Sequence, residues 1–181
     1  MAATGDWVPN VTREAMRRLV AHADKVGLPN TDECTLRAFF MAAAHDLLGM
    51  PRPRFETEWS RYRFDLIVNT GALATVIEFK YCMQRRTFGL GDEFLRFKGG
   101  PGPKNEGEFY ACVNKLRTDV PPGVADRRLI LVYVREANGR SRYSFDQSYG
   151  GLAVGGDLTD VQPLAVGPLE GRVLRPRWLE S

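Results

Sequence analysis

The stretch Arg61–Tyr81, RYRFDLIVNTGALATVIEFKY, decides how this chain is read. It divides into two apolar runs, FDLIV and TVIEFKY, around Asn69-Thr70-Gly71-Ala72. Gly at the first central position of a two-residue loop suits a type II′ hairpin turn. With Gly71 and Ala72 as the loop, Thr70 pairs with Leu73, and counting outward sets Asp65 opposite Glu78. Residues two apart on a strand share a face, so Lys80 lies on the same side as Glu78. Val, Ile, Leu and Phe flank these charges on both faces. Charges in such a setting are costly unless they converge on a partner.

Working outward, 181 residues suffice for one well-packed domain and are short for two. Apolar content of 44% and charged content of 26% are those of an ordinary soluble globular protein. The net charge of +3 permits a nucleic-acid partner without requiring one. No apolar run approaches the roughly 18 residues of a membrane span. The N-terminus, MAATGDWVPN, has no basic segment followed by an apolar one, which predicts a cytoplasmic rather than a secreted protein. Cys34, Cys82 and Cys112 are odd in number and form no CxxC, as expected of buried free thiols in a reducing compartment. Only His22 and His45 are available, which argues against zinc and leaves a hard cation held by oxygen. His22, beside alanines, reads as an ordinary helix residue.

Helical spacing of Val11, Ala15, Leu19 and Ala23 predicts a helix over 10–26, closed by Gly27. A second helix is predicted over 31–48, with Asn30 and Glu33 at capping-box spacing and Gly49 and Pro51 ending it. Residues 51–60 read as a first strand, Phe55, Thr57 and Trp59 on one face and Glu56 and Glu58 on the other. Residues 84–107 read as a long Gly- and Pro-rich loop. From Lys80 to Arg117 there are eight Lys or Arg against four Asp or Glu. A helix over 108–120 carries Phe109, Cys112, Val113 and Leu116 on one side. The run RLILVYVR, Arg128–Arg135, is apolar on both faces, so it is expected in the middle of the sheet, parallel to the hairpin strand that precedes the helix. Beyond it, 137–181 reads as a short C-terminal extension with one strand at 142–145, able to pack on the domain or mediate self-association. A single domain over 1–181 with its core at about 30–136 is expected.

Taken together, the order α-α-β-β-β-α-β, with Asp65 in RFDLIV, Glu78-Phe79-Lys80 in VIEFKY and Glu33 in the preceding helix, resembles the PD-(D/E)xK superfamily of restriction-endonuclease-like nucleases. An acidic-x-Lys triplet alone means little, since composition yields about one per chain of this size. Its position at the end of an apolar strand, behind an Asp on the strand before, gives it weight. Phe64, not Pro, precedes Asp65, as in many members. The resemblance covers roughly residues 30–136, and the run from Ile77 through the basic loop is similar to small uncharacterised bacterial members.

The resemblance implies an α/β (α+β) fold with a mixed central sheet flanked by helices, and a metal-dependent DNA endonuclease of restriction, phage defence, mobile-element or repair biology. Asp65, Glu78 and the Phe79 carbonyl would hold Mg²⁺ or Mn²⁺, and Lys80 would deprotonate or position the attacking water. Glu33 would complete the site, with Glu56 and Glu58 as rivals for that place. Arg37 would approach the phosphate or pair with Glu33, one turn before it. Arg85, Arg86, Arg96, Lys98 and Lys104 of the basic segment would bind nucleic acid. No DNA-reading module is evident, so a homodimer or a partner subunit is expected to contribute target recognition. The alternative is a non-catalytic nucleic-acid-binding or assembly subunit with the same fold.

Overall fold

The computed structural model describes residues 6–49, 52–71, 73–82, 87–90, 93–96, 103–134 and 158–176. Two helices come first, α1 (Val8–Val26) and α2 (Glu33–Leu47), separated by a 3-10 turn at Leu28–Asn30. Three strands follow, β1 (Arg54–Trp59), β2 (Tyr62–Asn69) and β3 (Ala74–Cys82). Next come a short hairpin, β4 (Thr87–Leu90) with β5 (Glu93–Arg96), and helix α3 (Pro103–Thr118). The chain then supplies β6 (Val124–Val134), β7 (Leu158–Val166) and β8 (Leu169–Pro176). Six strands form one mixed sheet in the order β1-β2-β3-β6-β8-β7, in which only β3 and β6 run parallel.

The parallel β3–β6 pair puts the apolar run of β6 between two neighbours, as its sequence requires. Its even and odd residues feed two cores. On one face Ile130 and Val132 join Leu66, Val68, Ile77 and Phe79 beneath Val11, Ala15, Met16 and Leu19 of α1 and Leu36, Phe40, Ala43 and Ala44 of α2. On the other, Leu129, Leu131 and Tyr133 join Phe64, Ile67 and Val76 against Phe109, Cys112, Val113 and Leu116 of α3. The sheet is thus sandwiched between α1–α2 and α3. No helix among the described residues is long and apolar enough to cross a membrane.

The hairpin register is the one counted from its turn: Asn69 pairs with Ala74, Val68 with Thr75, Ile67 with Val76 and Leu66 with Ile77. Gly71 has φ 93°, a left-handed value that costs a glycine little, and its N–H donates to Asn69 Oδ1 at 2.8 Å.

Elsewhere the structure corrects the sequence reading. The C-terminal segment supplies two of the six strands, and Leu164, Leu169 and Val173 belong to the α1–α2 core, so the core runs from α1 to β8 rather than over 30–136. The strand expected at 142–145 lies outside the described residues. The loop of 84–107 contains β4 and β5, and α3 begins at Pro103 rather than 108. Asp32, not Asn30, caps α2, its Oδ1 accepting from the Thr35 N–H and hydroxyl at 2.7 Å each. The 3-10 turn already uses Asn30, whose amide donates to the Val26 carbonyl. Cys112 is buried as expected, but Cys34 is exposed on α2.

Candidate functional site

The site forms where β2 leaves β3. Glu56 of β1 pairs with Ile67 while Glu58 pairs with Arg63, so two steps along β1 span four along β2. The surplus residues lie either side of Asp65, and a bulge of this kind re-aims the side chain it carries. The pairing of β2 with β3 ends at Leu66↔Ile77, whereas β3 continues beside β6 as far as Cys82↔Tyr133. Beyond Ile77 the β2-facing edge of β3 therefore offers N–H groups to side chains instead of to a strand. Asp65 Oδ2 accepts from the Phe79 N–H at 2.8 Å, and Glu33 Oε2 from the Tyr81 N–H at 3.3 Å.

Around these contacts the charges gather. Lys80 Nζ lies 3.8 Å from Glu33 Oε2. Arg37 Nη1 donates to the Asp65 carbonyl at 3.3 Å and lies 3.8 Å from Asp65 Oδ1, so it serves Asp65 rather than Glu33. Thr31 and Tyr81 hydroxyls meet at 2.9 Å, tying the start of α2 to the end of β3 and setting Glu33 in reach. Because Asp32 takes the cap, Glu33 is not spent on satisfying the helix terminus. Glu56 and Glu58 lie exposed on β1, Glu58 3.9 Å from Arg63 and away from the cluster. Of the three glutamates weighed from sequence, the fold brings Glu33 to Lys80.

Three further residues belong to this neighbourhood. Lys115 Nζ donates to Glu78 Oε1 at 2.6 Å and stands 4.8 Å from the centre of the Phe64 ring. Cys112 Sγ donates to Glu78 Oε2 at 3.7 Å. Glu108 contributes to the field at Lys80. At spacings of four and three, Glu108, Cys112 and Lys115 fall on one face of α3, a pattern visible in sequence beneath the apolar stripe. Of the basic residues expected to bind nucleic acid, Arg85, Arg86 and Lys98 lie outside the described residues. Arg96 and Lys104 sit on β5 and α3.

The electrostatics are those of a crowded acidic site. Glu78 is 4% exposed, and burial, followed by the charge of Asp65, raises its carboxyl above the usual range despite Lys115. Burial raises Glu33 also, against the pull of Lys80. For Lys80, burial alone favours the neutral amine, but the charges of Cys112, Glu33, Asp65 and Glu108 outweigh it and its ammonium is stabilised. Burial pushes the Cys112 thiol up to about 12.

Among the described residues no three His, Cys, Asp or Glu side chains gather into a metal-holding group. The donors brought together are two carboxylates, on Asp65 and Glu78, beside the backbone of Phe79. That hard-oxygen set matches Mg²⁺, which takes one or two carboxylates and keeps several waters. The mutual repulsion that raises Glu78 is what a divalent cation between the two would relieve. Comparison of the chain with family models, curated proteins and solved structures finds no match.

Proposed function

We propose that the chain is a metal-dependent phosphodiesterase with a restriction-endonuclease-like core, acting on nucleic acid and in the first place on DNA. One observation carries the reading: β2 bulges at Asp65 and abandons β3, so that Asp65 accepts from the Phe79 N–H and its charge bears on the buried Glu78, beside a charged Lys80. A purely structural sheet gains nothing from interrupting its ladder to bury carboxylates of like charge. Asp65, Glu78 and the Phe79 carbonyl would hold Mg²⁺ or Mn²⁺, which supplies Lewis-acid polarisation of the phosphate and an activated water.

The chain's own residues have distinct parts. The Phe79 N–H fixes Asp65 Oδ2, leaving its other oxygen for a cation or for Arg37. Lys80, kept protonated by its carboxylate neighbours, suits orienting a water and meeting charge on the phosphate better than removing a proton. Glu33 positions Lys80 while anchored on the Tyr81 N–H. Arg37, a third exposed, can turn from Asp65 toward a phosphate.

The test is cleavage of supercoiled plasmid with Mg²⁺ or Mn²⁺. Asp65→Ala and Lys80→Ala should each lower the rate about a hundred-fold or more, and cleavage indifferent to both substitutions refutes the assignment. The second reading, a nucleic-acid-binding subunit that does not cut, is favoured by Lys115 seated on Glu78. Binding of DNA without cleavage under any metal would select it.

A further inference from the structure

The ion pair between Lys115 and Glu78 joins α3 to the site, and the sequence resemblance assigns it nothing. Its ammonium is 2.6 Å from one oxygen of a carboxylate that is otherwise cut off from water. The same nitrogen also stands 4.8 Å from the centre of the Phe64 ring, and its side chain is 34% exposed while that of Glu78 is 6% exposed. The lysine can therefore leave, and the glutamate cannot. An aromatic face holds an ammonium without hydrogen bonds, so Lys115 can release Glu78 without first becoming a bare charge in an apolar setting.

We infer that Lys115 is a resident counter-ion occupying the Glu78 carboxylate in place of the divalent cation, and that it withdraws toward solvent when the cation binds. This rests on the proposed metal site. It makes cation affinity a competition: a divalent ion must displace a hydrogen-bonded ammonium before Glu78 can serve as a ligand. Lys115 is thus a positioning residue that sets the metal concentration at which the site fills.

The experiment is isothermal titration of the full chain with Mn²⁺ in mildly alkaline buffer, comparing wild type with Lys115→Met and Glu78→Gln. Hydrogen bonds to charged groups are strong enough that Lys115→Met should bind Mn²⁺ about ten-fold or more tightly than wild type, and Glu78→Gln should lose binding. Equal or weaker binding by Lys115→Met, with wild type binding normally, overturns the competition and leaves the metal site standing. Mn²⁺ binding by neither overturns the metal site and the competition with it. Should Lys115→Met not fold, the wild type decides. Acylation of Lys115 by an N-hydroxysuccinimide ester, followed by peptide mass spectrometry, should accelerate when Mn²⁺ saturates the protein. An unchanged rate at saturation refutes the withdrawal.

Discussion

Replacing Glu78 with glutamine tests whether this carboxylate is kept for stability or in spite of it. Glutamine has nearly the same shape and keeps an acceptor oxygen toward Lys115. The substitution gives up the ion pair with Lys115, a charged hydrogen bond of about 1.5–3 kcal/mol at most, and less here because Lys115 is a third exposed. Against this stands the cost of burying an ionised carboxylate, several kcal/mol per ion in real proteins, at a residue 4% exposed and facing Asp65. The second effect is larger, which is why the Glu78 carboxyl is raised even with Lys115 attached. Metal-free Glu78→Gln should therefore be more stable than wild type by about 1 kcal/mol, in the range commonly recovered when a functional charge is removed, or roughly 2–4 °C in Tm for a chain of this length. The pH dependence gives the sign independently. Unfolded, Glu78 ionises near the ordinary glutamate value of about 4.3. Folded, it holds its proton to higher pH, so stability falls as pH rises through the folded value, and the penalty is complete above it. The advantage of Glu78→Gln should vanish in acid and grow as pH rises toward neutrality. Thermal melts in EDTA across that range measure it. A variant less stable than wild type at neutral pH would show that the Lys115 pair is a structural bridge and refute the reasoning.

Two predictions concern the frame that holds the site. Arg128 is 2% exposed and lies 2.9 Å from Asp6 and 2.7 Å from Asp126, clasping the start of the chain to β6. Arg128→Met should cost about 1.5–3 kcal/mol by removing a charged hydrogen-bonding partner, with Arg175 remaining 3.9 Å from Asp6 and 3.5 Å from Asp126. The loss is read as a lower urea midpoint, and an unchanged midpoint would show that Arg175 and solvent replace the clasp. A chain ended at residue 136 should fail to fold, because β6 loses its β8 partner and the α1–α2 core loses Leu164, Leu169 and Val173. A cooperative thermal transition from that fragment would show that the last two strands are dispensable.

What could be read from sequence followed from local chemistry. The β2–β3 register was legible because Gly71 fixes the turn and the period-2 pattern fixes the faces. The centrality of β6 was legible because it is apolar on both faces. The C-terminal hairpin was hidden by residues that ordinarily argue against strands. Pro163 pairs with Arg172 on β7, but β7 is an edge strand, where a missing N–H costs little. Gly171 lies inside β8, where a Cβ would come 2.7 Å from Met16 Sδ; the glycine marks close approach to α1, not irregular chain. Lys115 was passed over because its partner lies 37 residues away, across a fold not yet known.

The site itself was legible only in part, and the reason lies in β1. Counting from Gly71 sets Asp65 against Glu78 as a regular cross-strand pair, which would bring the carboxylates together as neighbours and no more. The pairing of β1 adds what the count omits: three residues of β2, Phe64 to Leu66, are fitted against one of β1, Thr57, and β2 is drawn off β3 just where Asp65 stands. Only then do the Phe79 and Tyr81 N–H groups meet Asp65 and Glu33 instead of a strand. The same departure explains why Phe64 turns to the α3 side, joining Ile67 although the two are three residues apart, and so comes to lie beneath Lys115. One irregularity in an edge pairing thus orients Asp65, anchors the glutamate from α2 and brings Phe64 beneath Lys115. The residues that matter most to the proposed chemistry are placed where the sheet departs from its own pattern, and that departure depends on a strand whose sequence, RFETEW, carries no catalytic signal.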